Sequence, residues 1–219
     1  AALPWAPLAT QPADVRALPA YERDALIISA TLLDGQWIIL SRYSDDIWQH
    51  DGFTNNVQVC RRRLDFRSVP TAFQTVLKAI IYRYLRRGRS GLGRPKGSTL
   101  LIFFTNAKPF LQHLEALGLD HLGAVTPLIC TTYVASCKAH RKTIRSKAQP
   151  LTQYGLRHRF NAVEALHELS HYTNDPMPLH PWPETSAKGM AGLTGSNSQH
   201  KQGSKTRLIP DDEFCILFE

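Results

Sequence analysis

One short run of residues has the types and the spacing that zinc-dependent hydrolysis requires. Residues 167 to 171 read "HELSH", which places His167 and His171 four positions apart with Glu168 between them. On a helix, two histidines at this spacing lie on one face and can bind a zinc ion, while the glutamate can serve as base for an attacking water. The run therefore makes a zinc metallopeptidase one candidate function.

Three features of the surrounding sequence favour a structural role for these histidines. A zinc peptidase needs a third protein ligand, but the position six residues after His171 is Met177, and His180 lies in a proline-rich stretch. His167 continues the apolar side of its predicted helix. No strand or cleft that could hold a peptide is evident nearby. We therefore predict no metal and no cofactor, and keep the zinc site of His167, Glu168 and His171 as the alternative.

The basic residues lie in long runs that contain no acid. Net charge is +8, and nine Lys or Arg fall within residues 66–114, seven within 121–163 and four within 185–210, three stretches without Asp or Glu. A protein that only has to stay in solution mixes both signs, whereas one-signed runs indicate a polyanionic partner, first of all nucleic acid. The candidate DNA-binding residues are Lys78, Arg83, Arg86, Arg87, Arg89, Arg94, Lys96, Lys138, Arg141, Lys142, Arg145, Lys147, Arg157, His158 and Arg159.

Four helices are predicted to position these residues. The first spans residues 71–87, where apolar residues recur at the spacing of an amphipathic helix. The second runs from Ser98, as N-cap, to about residue 117, with a kink expected before Pro109. The third begins at Thr126 and is predicted to end in the basic run "CKAHRKTIRSK". The fourth begins near Thr152 and carries an apolar face to residue 169.

The sequence around these helices predicts flanking segments. Residues 1–69 indicate an extended, proline-rich arm and a small N-terminal segment, within which residues 26–48 fit either a β-hairpin or a helix-turn-helix. Residues 70–172 form the predicted helical domain, and residues 173–207 have the Pro, Gly and Ser content of a linker. Residues 208–219 begin a further helix, so we expect the chain to be cut short there.

Composition excludes several protein classes. The four cysteines form no CxxC pair, which argues against a disulfide framework or a zinc ribbon and suits a reducing compartment. Cys130 and Cys137 lie two helical turns apart and are predicted to be small core side chains. No apolar run approaches the roughly 18 residues that a membrane span needs. We therefore predict a cytoplasmic protein without a membrane partner.

The order of the predicted elements resembles that of the core-binding domain of tyrosine recombinases, the phage-integrase family. The resemblance is carried by "LLIFFTNAKPFLQHLEALGL", "HLGAVTPLICTTYV", "LTQYGLRHRFNAVEALHEL" and "TRLIPDDEFCILF", and it covers roughly residues 37–219. It implies a mainly α fold, a SAM-like bundle of four to five helices joined by a linker to a C-terminal catalytic domain. It also implies a nucleoid-associated bacterial protein that binds double-stranded DNA at attachment-type sites, together with other integrase protomers.

The stretch "YGLRHRF", residues 154–160, looks like most of the catalytic HxLRHxF box of this family. In the family that box lies in the catalytic domain, after the linker, and Tyr154 here stands where its first histidine is required. We therefore interpret Arg157, His158 and Arg159 as contacts to the DNA backbone. The resemblance then implies the DNA-binding portion of an integrase for integration or excision of a mobile element. We expect the catalytic domain to be absent and this portion by itself to be inactive. A stand-alone helical DNA-binding protein is a further alternative, against which the helix begun at residues 208–219 argues.

Overall fold

Helices predominate in the protein, and short antiparallel strand pairs accompany them. The computed structural model describes residues 7, 10–49, 62–144 and 147–193, with the backbone alone at 142–144 and 147. The helices are α1 (Ala20–Ala25), α2 (Thr71–Arg87), α3 (Gly97–Ala116), α4 (Pro127–Ala139), α5 (Gln153–Ser170) and α6 (Ala187–Met190). The strands are β1 (Ile27–Leu33), β2 (Gln36–Arg42), β3 (Ile47–Gln49), β4 (Arg63–Asp65), β5 (Arg141–Ile144) and β6 (Lys147–Pro150). The expectation of a mainly α fold therefore holds only loosely.

The four predicted helices are present as α2 to α5. Helix α2 has the predicted bounds and buries one apolar face, which includes Phe73, Leu77, Ile80 and Ile81. Burial of such faces supplies most of the driving force for folding, at roughly 25 cal/mol per Å² of apolar surface. No helix among the described residues is both long enough and apolar enough to cross a membrane.

Of two predicted helix starts, that of α4 is confirmed and that of α3 is wrong. Thr126 caps α4 as expected, because its hydroxyl accepts a hydrogen bond from the Ile129 amide at 3.4 Å and Pro127 follows it. The prediction for α3 was wrong: the N-cap position is Lys96, without a side-chain cap, and Ser98 lies inside the first turn. Pro109 lies within α3, which continues to Ala116. Tertiary packing of the apolar face therefore outweighs the local capping preference.

The third predicted helix ends within the basic run "CKAHRKTIRSK", as expected. Helix α4 ends at Ala139, and the basic run continues as an antiparallel hairpin in which Arg141 pairs with Pro150. Arg141 Nη1 donates to the carbonyls of Lys138 and Ala139, both at 3.0 Å. These carbonyls have no partner within the helix, so the guanidinium satisfies them and ends α4 at this point.

Residues 26–48, for which two interpretations were open, form a hairpin. Strands β1 and β2 pair antiparallel around Asp34 and Gly35, whose φ angles are 49° and 78°. Positive φ at both central residues is the geometry that matches the twist of a two-residue hairpin, and an Asp-Gly pair adopts it readily. The helix-turn-helix alternative is thereby excluded.

Residues 10–19, within the predicted arm, pack on the helices and do not extend away from them. Val15 is buried, and the hydroxyl of Tyr82 in α2 donates to the Pro12 carbonyl at 2.7 Å. Burial raises the pKa of Tyr82 to about 12, so the hydroxyl stays protonated and able to donate. Trp48 and Phe66, whose ring centroids are 4.7 Å apart, continue this contact towards α3. Residues 10–49 and the helices therefore share one core.

Residues 173–193, here called the strap, lie in the predicted linker but fold back on the helices. Met177, Trp182, Ala187 and Ala191 are all buried in the common core. The Trp182 ring contacts that of Phe160 in α5, with the centroids 5.7 Å apart. The predicted domain boundary at residue 172 is therefore not a boundary of the packed structure. Linker composition failed as a guide because a few apolar side chains among the prolines and glycines are enough to dock the segment.

Polar groups fix the strap at both of its ends. The Asp175 carboxylate accepts from the amides of Leu122 and Gly123 at 2.6 and 2.8 Å. The carboxylate of Glu164 in α5 accepts from the Ala187 amide at 2.6 Å, at the start of α6. Residues 194–219, which include the end of the predicted linker and the last predicted helix, lie outside the described residues.

A pair of substitutions two residues apart tests whether the strap belongs to the core. Met177→Ala removes a side chain that is 0% exposed and should lower the free energy of unfolding by about 2 to 5 kcal/mol, the range for large-to-small changes in a core. Leu179→Ala removes a side chain that is 54% exposed and should change it by no more than about 0.5 kcal/mol. Urea unfolding measures both. Equal and small effects would contradict a docked strap.

Candidate nucleic-acid interface

Part of the predicted basic surface gathers where α4 ends and α5 begins. Lys138 is on the last turn of α4, Arg141 opens β5, and Arg157 and His158 lie near the start of α5; all four are exposed. The Arg159 guanidinium lies 3.6 Å from the Cys137 sulfur, which brings the two helix ends together. We call Lys138, Arg141, Arg157 and His158 the basic end. Arg159 itself is half-buried beneath it.

The basic end carries no acidic partner within the described part of the chain. None of the ion pairs described there involves Lys138, Arg141 or Arg157. The start of α5 adds a partial positive charge, because the first amides of a helix point outward along its dipole. Thr152 takes up one of them, accepting from the Gly155 amide at 3.1 Å. The net field at this end therefore favours an anion.

The predicted basic residues of α2 have a different role. Lys78 Nζ donates to the Ser44 carbonyl at 3.2 Å, and the Arg83 guanidinium lies 4.0 Å from the centroid of the Tyr172 ring. Arg86 Nη2 donates to the Gln11 carbonyl at 3.1 Å, and burial lowers the pKa of Arg86. These three side chains hold the N-terminal residues and the end of α5 in place. They are engaged inside the molecule rather than offered to a partner.

Arg89 is likewise engaged, at the opposite end of α5 from the basic end. Its Nε donates to Glu168 at 2.8 Å. Arg157 and Glu168 are separated by about 16 Å along the helix axis at the usual rise per residue. The fifteen predicted residues therefore do not form one surface.

The other predicted residues fall into two sets. Arg87, Arg94 and Lys96 are exposed around the loop between α2 and α3, apart from the basic end in sequence. Arg145 lies outside the described residues, as do the side chains of Lys142 and Lys147. The backbone of Lys142 and Lys147 belongs to the β5–β6 hairpin, which begins next to Lys138.

The "HELSH" run lies in the last two turns of α5, and the structure adds a third histidine to it. The Nε2 atoms of His167 and His171 are 3.4 Å apart, and the ring of His180 in the strap lies 5.3 Å from that of His167, centroid to centroid. Sequence reasoning set His180 aside because it lies in a proline-rich stretch. Met177 is fully buried and faces the core.

The arrangement does not suit zinc hydrolysis. The carboxylate of Glu168, the required base, accepts from Arg89 Nε at 2.8 Å and from the Ser90 amide at 2.7 Å, so both oxygens are already engaged. His180 Nδ1 accepts from the Trp182 amide at 3.1 Å, so in the neutral ring the proton is on Nε2, the nitrogen that would otherwise bind metal. Among the described residues, no group of three or more His, Cys, Asp or Glu is placed to hold a metal ion.

Comparison with protein-family models, with curated proteins and with solved structures finds no match. Function must therefore be argued from the residues of this chain. The side chains of the basic end are exposed to solvent, whereas the histidine cluster contacts the strap.

Removing the carboxylate charge at Glu168 tests its structural role. Glu168→Gln should lower the free energy of unfolding by about 1 to 3 kcal/mol, because Arg89 and the Ser90 amide lose a charged acceptor. Glu184→Gln, at an exposed position of the strap, is the matched control and should be nearly neutral. Chemical denaturation measures both. If Glu168→Gln left the free energy of unfolding unchanged, the Glu168 carboxylate would not have this structural role.

Proposed function

We propose that this chain binds duplex DNA through the basic end and is the DNA-gripping portion of a site-specific tyrosine recombinase. The observation that carries the DNA-binding proposal is the convergence of exposed, acid-free cations at the junction of α4, β5 and α5. Cations without an internal counter-charge keep their full attraction for phosphate, and release of counterions from DNA then supplies affinity.

The chemistry of the exposed side chains suits contacts to the backbone of the duplex. Arg157 can hold a phosphate with two parallel hydrogen bonds, whereas Lys138 acts as a point charge. Neither contact depends on the base pair, so together they would set the position of the protein on DNA rather than its sequence preference. Sequence preference would need side chains that enter a groove.

The assignment to recombinases rests on the sequence resemblance. Four helices in the expected order, α2 to α5, are compatible with a SAM-like core-binding bundle. The N-terminal strands and the docked strap are additions to that pattern. In the family, a separate catalytic domain supplies the tyrosine that attacks the phosphodiester and the arginines that stabilise its charge. The proposed task of this portion is to hold the duplex for that reaction, with other protomers, during integration or excision of a mobile element.

Salt dependence tests whether binding uses phosphate contacts. If about four to six phosphates are neutralised, the slope of log affinity against log salt should be near −4 to −5. The double variant Lys138→Glu and Arg157→Glu should weaken binding to all sequences alike and make the slope shallower by about two. Fluorescence anisotropy with labelled duplexes at several salt concentrations measures both quantities.

The matched control is Arg63→Glu, an exposed cation on β4 away from the basic end. It changes the net charge in the same direction and should leave the salt slope unchanged. A slope near zero for the unmodified chain would refute DNA binding. Equal losses in the control and the double variant would refute the basic end as its location.

A second experiment separates DNA binding from catalysis. Tyr154 is 66% exposed near the start of α5, and Tyr172 lies under Arg83. Neither has the pair of arginines on one phosphate that strand cleavage requires, so incubation with nicked and intact duplexes should give no covalent adduct on a denaturing gel. An adduct that disappears in a Tyr154→Phe or Tyr172→Phe variant would show that this chain is itself a catalyst.

A further inference from the structure

Three histidines meet where the strap crosses the end of α5. His167 and His171 come from successive turns of the helix, and His180 comes from the strap. The ring centroids of His167 and His171 are 4.9 Å apart, and those of His167 and His180 are 5.3 Å apart. They line an open cavity of about 490 Å³ whose floor is half-buried His167. Neither the DNA-binding proposal nor the core requires this cluster.

The hydrogen bonds of the cluster cannot all be kept when the three rings are protonated. Between the facing Nε2 atoms of His167 and His171, 3.4 Å apart, only one can carry a hydrogen. His180 Nδ1 is the acceptor for the Trp182 amide at 3.1 Å. A protonated His180 would carry a hydrogen on both nitrogens, so that Nδ1 would face the amide as a second donor and the bond would be lost.

The carboxylates near the cluster are already engaged, so they do little to offset the positive charge of added protons. Glu168 is engaged by Arg89 from the loop after α2, and Glu164 by the Ala187 amide. Tyr172 lies at the same opening, with the Arg83 guanidinium against its ring. The pKa of His167 is lowered by burial first and then by His171 and His180, although Glu168 acts in the opposite direction. The surroundings therefore favour the neutral form of the cluster.

We propose that this three-histidine cluster holds the strap on α5 at neutral pH and releases it on acidification. When the strap detaches, His180 leaves the other two rings, and His167 loses one of the groups that lower its pKa. A site whose detached form binds more protons is stabilised above the usual histidine value of about 6.5, and that stability is lost as pH falls below it.

Hydrogen exchange of the full chain, read by mass spectrometry at pH 7.5 and 5.5, tests this directly. After correction for the intrinsic rate, exchange in residues 177–191 should be faster at pH 5.5 by roughly fourfold or more, the factor expected for like charges about 5 Å apart even with the full screening of bulk water. Exchange in α2 should not change. In His180→Gln, whose side-chain oxygen can still accept from the Trp182 amide, the pH dependence of the strap should be clearly smaller, since burial and His171 still act on His167.

His140→Gln is the matched control, since His140 is exposed at the end of α4 and away from the cluster. It should keep the full pH dependence. The same change with pH in the unmodified chain and in His180→Gln would overturn the proposal, as would a strap no more sensitive to pH than α2.

A titration of the histidine ring protons by NMR supplies an independent readout. Removing His180 should raise the pKa of His167, since one of the groups that lowers it is gone. An unchanged His167 titration would overturn the coupling. All samples contain a chelator. If the strap is protected from hydrogen exchange at pH 7.5 only when zinc is added in excess of the chelator, a bound metal and not the neutral histidines holds the strap. The proposal then fails.

Discussion

Burial of Phe160 in the middle of α5 is the constraint on which the rest of the structure depends. Its ring contacts Tyr133 of α4 at 6.4 Å and Trp182 of the strap at 5.7 Å, centroid to centroid, and Tyr133 in turn contacts Phe110 of α3 at 5.0 Å. Each aromatic pair adds a modest free energy beyond the area that it buries. Together the four rings align two helices, α3 and α4, and the strap around α5, so α5 is enclosed on several sides and the strap folds back on it.

The two ends of α5 divide the polar chemistry of the molecule. Near its C-terminus, Glu164 and Glu168 accept hydrogen bonds from the strap and from the loop after α2. Near its N-terminus no carboxylate faces the exposed side chains of Arg157 and His158 in the described part of the chain. Both acidic residues of α5 therefore bind neighbouring segments in its C-terminal half, and its N-terminal end is left positively charged.

The basic residues also fall into two groups, those bonded within the chain and those exposed at the surface. This difference matters for the proposed DNA binding. A guanidinium that donates to a carbonyl or a carboxylate of its own chain, as Arg86 and Arg89 do, would have to give up that bond to reach a phosphate. Such a side chain contributes to folding, and its removal would weaken DNA binding only indirectly. Net charge alone therefore overstates the surface available to DNA, and within the basic end Arg141 shares this limit, since it donates to the carbonyls of Lys138 and Ala139. Lys138 and Arg157 are exposed, and none of the ion pairs described involves them.

The sequence by itself determined the main helices, because the apolar periodicity of residues 71–87 and the Thr126-Pro127 start are local signals that packing reinforces. It also predicted the burial of Cys130 and Cys137. Other features depend on contacts between distant residues. His180 joins the "HELSH" pair, and Trp182 docks a segment with the composition of a linker. No local pattern encodes these contacts, since each depends on where the folded chain brings a partner that is remote or lies beyond the helix, and only the tertiary structure decides that.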